Sequence, residues 1–162
     1  MKLKIKDQIP DTDIFQLVDG EPQKSKLREI IGDGKNVLFG LPGAFTSTCS
    51  KLHLPGFVVN ADKIKAKGIK NIFCLSVNDP YVMNGWGEIN NTGNSIKMLS
   101  DPYLLFTKAI GAEVDRNAKG MGIRSNRYLM VIENFTIINI HVEKETKECG
   151  LTSAENLLNN LI

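Results

Sequence analysis

Three short, mostly apolar runs, each followed by a helical pattern, constrain this chain more than any other feature. They are Asn36-Val37-Leu38-Phe39, Asn71-Ile72-Phe73-Cys74-Leu75-Ser76-Val77 and Ile96-Lys97-Met98-Leu99. Apolar runs of this length, bounded by turn residues, read as strands buried on both faces. Helices between such strands act as crossover connections, so the centre of the sheet is expected to be parallel. From Ser47 to Lys67 the pattern is helical, with Leu52, Phe57, Val58, Ala61 and Ile64 on the apolar face and Gly68 as the stop. Pro55 interrupts that pattern and predicts a kink or break near Leu54. Asn78-Asp79-Pro80 caps the next helix, which carries Tyr81, Val82, Trp86 and Ile89.

The flanking segments complete the pattern. Ile14 to Val18 reads as a strand, with a turn at Asp19-Gly20 and a hairpin return through Glu21-Pro22. Ser25 to Ile31 reads as a short helix capped by Ser25 and stopped by Gly32 and Gly34. Asp101-Pro102 opens a helix from Tyr103 to Ile110, and Gly111 to Gly122 reads as a polar loop. Tyr128–Ile132 and Thr136–Val142 form a hairpin around Glu133-Asn134. Thr152 and Glu155 make a capping box for a last helix that turns Leu157, Leu158 and Leu161 inward. The expected fold is α/β, a three-layer sandwich with a mixed central sheet, in a single domain over residues 1–162.

Composition narrows the function. The net charge of +2, from 20 basic and 18 acidic residues, is too weak to argue for nucleic acid or an anionic membrane. No apolar run approaches the roughly 20 residues of a membrane helix. Met1-Lys2-Leu3-Lys4-Ile5-Lys6 is basic but has no apolar stretch behind it, so no secretory signal is read. The 3 cysteines, Cys49, Cys74 and Cys149, are widely spaced and lack any Cys-x-x-Cys pair. That argues against a disulfide scaffold or a zinc ribbon and for free thiols in a reducing, cytoplasmic setting. A processed organellar form stays open as the alternative, because a removed transit peptide leaves no trace.

Chemistry concentrates in Gly40-Leu41-Pro42-Gly43-Ala44-Phe45-Thr46-Ser47-Thr48-Cys49. Cys49 falls where a strand passes into a helix, and there free backbone N–H groups and the helix dipole favour a thiolate. An ordinary cysteine, with a pKa of about 8.5, is only about 3% ionised at pH 7. Ionisation alone does not make a fast thiol enzyme, since nucleophilicity falls with pKa. Donors must also stabilise charge on the attacked and leaving atoms. Thr46, one turn before Cys49, can donate and accept at once. Pro42 offers an apolar wall without an N–H. His53, four residues after Cys49, shares its helical face. It reads either as raising thiolate character or as packing against the helix with a local hydrogen bond. His141, in an alternating strand, reads as structural.

The segment Leu41-Pro42-Gly43-Ala44-Phe45-Thr46-x-Thr48-Cys49-Ser50-x-x-His53-x-Pro55-Gly56-Phe57 resembles the active-site segment of the peroxiredoxins, most of all the type II, peroxiredoxin-5-like subfamily. Cys74 to Met83, ending near Trp86-Gly87, and Gly120-Met121-Gly122-Ile123-Arg124-Ser125-x-Arg127-Tyr128 resemble the plant and fungal type II sequences. The resemblance implies a thioredoxin-like fold and a thiol-dependent peroxidase acting on hydrogen peroxide and organic hydroperoxides. It makes Cys49 the peroxidatic cysteine, oxidised to sulfenic acid. Thr46 would hydrogen-bond thiolate and peroxide, Pro42 would shelter the sulfenate, and Arg127 would be the active-site arginine.

The family pattern leaves re-reduction open between thioredoxin, glutaredoxin and glutathione, and it implies a homodimer. Cys74 stands where plant type II members carry a second cysteine, and it reads either as resolving or as a buried strand thiol. The animal resolving position falls on Ser153, with Cys149 four residues earlier as a substitute. No cofactor or metal is implied. The competing functions are a thiol–disulfide oxidoreductase, opposed by the missing Cys-x-x-Cys, and a non-catalytic redox sensor.

Overall fold

The computed structural model describes residues Met1–Ile162. Strands β1 (Asp13–Val18) and β2 (Glu21–Lys26) form the expected hairpin. Asp19 and Gly20 both take positive φ, 51° and 83°, as a tight two-residue turn requires. Ser25 is part of β2 and not a helix cap. Helix α1 (Leu27–Ile31) begins instead where Glu29 reaches back to the Lys26 N–H and Asp11 accepts from the Arg28 N–H.

The three apolar runs become β3 (Lys35–Gly40), β4 (Asn71–Ser76) and β5 (Lys97–Ser100), paired in parallel. The predicted break at Pro55 is present. Residues Cys49–His53 form a π turn in which the Leu54 N–H reaches back to the Cys49 carbonyl, and α2 (Leu54–Ala66) continues from there. Pro55, having no N–H, cannot complete an ordinary i→i−4 bond to Lys51, which favours the wider turn. Helix α3 (Pro80–Ile89) is capped by Asp79, whose carboxylate accepts from the Val82 N–H. Its buried face holds Met83 and Trp86, whereas Tyr81 and Ile89 are exposed. Helix α4 (Leu105–Ala109) is shorter than predicted. Asp101 accepts from the N–H groups of Phe106 and Thr107 at its start.

The stretch from Gly111 to Gly122 is not all loop. β6 (Glu113–Asp115) pairs with β7 (Ile123–Ser125) as a separate two-stranded ribbon. Strands of three residues are too short to show a period, so only pairing reveals them. β8 (Tyr128–Glu133) and β9 (Thr136–Val142) form the predicted hairpin, closed one residue later than expected by Asn134 and Phe135, both at positive φ. The terminal helix begins at α5 (Ala154–Asn156), where Ser153 accepts from the Asn156 N–H. Thr152 does not cap it; its N–H and hydroxyl both donate to Glu143.

The seven-stranded sheet runs β2-β1-β5-β4-β3-β8-β9, mixed as expected. Alternation along the central strands divides the core. Val37, Phe39, Ile72, Cys74, Leu129 and Val131 pack against the side that carries Phe57, Trp86 and Leu157. Leu38, Phe73, Leu75, Met130 and Ile132 pack against Leu27, Ile31, Phe106 and Ile110. The architecture is therefore an α/β three-layer sandwich with a thioredoxin-like centre. No helix is long and apolar enough to cross a membrane.

Candidate active site

Gly40 is the last residue of β3, and its register partner on β8 is Tyr128. Arg127 immediately precedes Tyr128, so antiparallel pairing delivers it to the loop that leaves β3. That loop, residues 41–48, carries Pro42, Thr46 and, just beyond it, Cys49. Two groups from elsewhere hold the loop. Asn78, just after β4, accepts from the Ala44 N–H at 2.9 Å and from the Ser76 hydroxyl at 2.7 Å. Arg124 on β7 approaches the Pro42 carbonyl at 3.5 Å and Asn78 Oδ1 at 3.4 Å. A Cβ on Gly43 would come within 2.9 Å of Arg124 Nη1 and would push that end of the arginine aside. Phe45 takes a φ of 62°, strained for an aromatic residue, and stands exposed beside Trp86.

Cys49 is fully buried and its thiol is free. Arg127 Nη2 donates to its sulfur at 3.3 Å. Arg127 is itself only 1% exposed and forms no ion pair with a carboxylate. It is held instead by neutral acceptors: the Thr146 carbonyl takes Nη2 at 2.8 Å and Nε at 3.3 Å, and His53 Nδ1 lies 2.7 Å from Nη1. A buried cation without a carboxylate is costly unless an anion joins it. Of the groups touching the guanidinium, Cys49 is the one that can ionise to an anion.

His53 is buried and does not bond to the thiol. Arginine only donates, so Nδ1 must accept; the Thr152 carbonyl only accepts, so Nε2, 3.0 Å away, must donate. This is the neutral Nε2–H tautomer. Burial, reinforced by the Arg127 charge, pushes its pKa down to about 3 against a weaker upward pull from the Thr152 carbonyl. His53 packs against Phe39 and Phe57, and its ring nitrogens pair with Arg127 and the Thr152 carbonyl, both distant in sequence.

Pro42, Thr46 and Arg127 line one cavity of about 480 Å³ together with Ser47, Thr48 and Thr146. Thr46 donates its hydroxyl to the Gly43 carbonyl at 2.9 Å, which leaves its oxygen lone pairs available as acceptors. A second cavity of about 490 Å³, between β1 and α3, is lined by Gln16, Asn84, Glu88, Asn91 and Lys97 among others, and no cysteine or histidine lines it. Cys74 lies in mid-strand on β4, between Phe39 and Met98, in the same apolar cluster as Cys49. Burial pushes its thiol well above the ordinary range, with the charge at Cys49 adding to the rise and Arg127 opposing it. Cys149 is half-buried on the segment after β9, and burial raises its thiol as well. His141 lies on β9 opposite Leu129, outside this group. No cluster of three or more His, Cys, Asp or Glu side chains has a metal-holding arrangement.

Several of the contributors are not visible as side-chain signals. The Thr146 and Thr152 carbonyls act through backbone. Arg124 and Asn78 fall within the two outer motifs noted in the sequence, a signal that could have found them, but neither reads there as a site residue.

Fold and site together define a thioredoxin-like α/β protein with a buried thiol held by an arginine. Comparison with known proteins carries this further. The redoxin family pattern matches residues 4–158. Peroxiredoxin-2D of Arabidopsis thaliana is 38% identical over 160 residues, covering 98% of each chain. Peroxiredoxin-2C of Oryza sativa subsp. japonica is 39% identical over 157 residues, covering 96% of each. Among solved structures, reduced Prx3 of Vibrio vulnificus in complex with H2O2 superposes with a TM-score of 0.91 at 40% identity, over 96% of this chain and 97% of that one. Peroxiredoxin 5 of Alvinella pompejana gives a TM-score of 0.80 at 32% identity, over 88% and 90%. The chain belongs to the peroxiredoxins, within them to the type II, peroxiredoxin-5-like group, and it is a thiol-dependent peroxidase.

Proposed function

We propose that Cys49 is the peroxidatic cysteine and that Arg127, Thr46 and Pro42 form its peroxide pocket. The observation that carries this is the buried Arg127 guanidinium, whose contacts are two backbone carbonyl bonds, a neutral histidine and the Cys49 sulfur. The Cys49 thiolate attacks one oxygen of the hydroperoxide. An S–O bond forms, the O–O bond breaks, and the leaving alkoxide takes a proton to depart as alcohol or water. Cys49 is left as sulfenic acid. Arginine has five N–H donors, and four are engaged here: Nε, one on Nη1 and two on Nη2. The fifth, on Nη1, is the donor for the peroxide oxygen. Thr46, with its hydroxyl proton committed to Gly43, accepts a hydrogen bond from the peroxide O–H. Pro42 has no N–H to bring water in.

Re-reduction falls to an external thiol, glutathione with glutaredoxin or else thioredoxin. That thiol condenses with the sulfenic acid, releasing water and leaving a mixed disulfide, which a second thiol then reduces. The burial of Cys74 in the middle of β4 supports this route over a Cys49–Cys74 disulfide, since pairing would require the central strand to yield. We infer a single domain over residues 1–162, supported by a sheet that draws strands from Asp13 to Val142. A homodimer is supported by the exposed Phe45, Tyr81 and Ile123 near the active-site loop.

Cys49→Ser should abolish peroxide consumption; retained turnover would sink the assignment. Mass spectrometry of the oxidised protein in glutathione should show an adduct on Cys49. A 49–74 disulfide instead would make Cys74 the resolving thiol.

A further inference from the structure

The segment that follows β9 wraps back over Arg127, and one buried carboxylate anchors its far end. Glu143 is only 4% exposed. Its backbone N–H donates to the Arg127 carbonyl at 3.0 Å, so it sits directly beside the arginine, just ahead of β8. Its Oε1 accepts both the N–H and the hydroxyl of Thr152, each at 2.9 Å. Two donors from one residue on one oxygen fix the backbone of Thr152 and so aim its carbonyl. That carbonyl receives His53 Nε2–H at 3.0 Å, and His53 Nδ1 receives Arg127 Nη1 at 2.7 Å. Arg127 Nη2 then reaches the Cys49 sulfur at 3.3 Å. Between Glu143 and Thr152, the Thr146 carbonyl holds Nη2 and Nε of the same arginine, and the Thr48 hydroxyl ties down the Lys147 carbonyl at 3.2 Å.

The tautomer of His53 is the hinge of this chain. If the Thr152 carbonyl turned away, the ring proton could move to Nδ1, and an Nδ1–H would face an arginine N–H with no acceptor between them. Arg127 would then lose an anchor and drift from Cys49. We propose that Glu143 is a positioning residue for the peroxidase reaction: by clamping Thr152 it selects the Nε2–H tautomer of His53 and thereby holds Arg127 against Cys49. Glu143 touches neither peroxide nor thiol. It acts at a distance, through the backbone of a segment that has no regular secondary structure of its own. The proposal rests on Cys49 and Arg127 being the reacting pair.

Glu143→Ala and Glu143→Gln separate the clamp from its alternatives, and two readouts are needed. Nitrogen-15 NMR of the His53 ring reports the tautomer with no turnover. Stopped-flow oxidation by hydrogen peroxide reports the rate constant of Cys49. In the wild type His53 should be neutral with the proton on Nε2. Glu143→Ala should give mixed tautomers and an oxidation rate lower by about 10- to 100-fold, the usual cost of misplacing a catalytic group by about an ångström. Glu143→Gln keeps an oxygen acceptor for both Thr152 donors and should restore the tautomer and most of the rate. Should Glu143→Ala not fold, Thr152→Val removes one of the two bonds at constant volume and should shift both readouts the same way by less. An unchanged tautomer and rate in the Ala variant, or in the Val variant standing in for it, would overturn the clamp, as would equal defects in Ala and Gln. A wild-type protein with the Nε2–H tautomer but no reaction at Cys49 would instead refute the site assignment and leave the clamp's geometry intact.

Discussion

His53 shows how burial decides the state of a single residue. Its pKa in the folded chain is about 3, against an ordinary 6.5, chiefly because burial disfavours the imidazolium and secondly because Arg127 repels it. Between those values the unfolded chain holds a proton that the folded chain refuses. His53 therefore stabilises the fold fully above pH 6.5, and its contribution is lost as pH falls toward 3. The slope approaches about 1.4 kcal/mol per pH unit within that window. Thermal unfolding from pH 7 to pH 4 should show the wild type losing stability faster than His53→Gln, whose side chain does not titrate. Parallel curves would mean that His53 is not the neutral, buried group described. Cys49 was legible as a candidate nucleophile because its flanking turn, Thr46 and Pro42 are all local. The state of His53 was not legible, since nothing near it in the chain announces a buried guanidinium from 74 residues away (127 − 53).

At the scale of elements, Pro55 links chain chemistry to site geometry. It was readable as a helix break, and the break proves to be a π turn over Cys49–His53. A π turn advances fewer degrees per residue than an α-helix, so it sets where Cys49 and His53 point relative to Arg127. Trp86 on α3 steadies the turn from the side, donating its indole N–H to Ser50 Oγ at 3.0 Å. Pro55→Ala restores an N–H for the Lys51 carbonyl and favours an α register. We expect peroxide oxidation of Cys49 to slow by about tenfold through misplacement, while the melting temperature holds or rises. Unchanged kinetics would show that the π turn has no bearing on the site. The β6–β7 ribbon carries a complementary lesson. Its first strand falls in the stretch from Gly111 to Gly122 that reads as polar loop, because three-residue strands have no visible period, yet the ribbon delivers Arg124 to Pro42 and Asn78.

Across the whole molecule, the β3–β8 pairing matters most. Gly40 opposes Tyr128, whose buried ring lies across the space a side chain at 40 would occupy. Gly40→Ala would drive a Cβ into that ring and strain the pairing that carries Arg127. A loss of about 2 kcal/mol is expected, lowering the melting temperature by several degrees, roughly 4–8 °C for a chain of this size. Peroxidase activity should fall as well, because the register that places Arg127 is the one disturbed. A variant as stable and active as wild type would show that the glycine is incidental.

By itself the sequence determined the order of strands and helices in the main sheet, the parallel centre, the terminal hairpin and the local setting of Cys49. These follow from hydrophobic period, caps and turn residues, which act over a few residues at a time. It also carried motifs distinctive enough to point to the type II peroxiredoxins. Tertiary structure alone decided which groups surround the thiol. Arg127 reaches Cys49 through antiparallel register, across 78 residues of chain (127 − 49). The carbonyls of Thr146 and Thr152 complete the site from a further stretch, and a backbone carbonyl is the same in every residue, so no side-chain pattern marks it. Alternation on β4 turned Cys74 toward the same core as Cys49, and burial, which no local pattern measures, raised its thiol out of easy reach of ionisation.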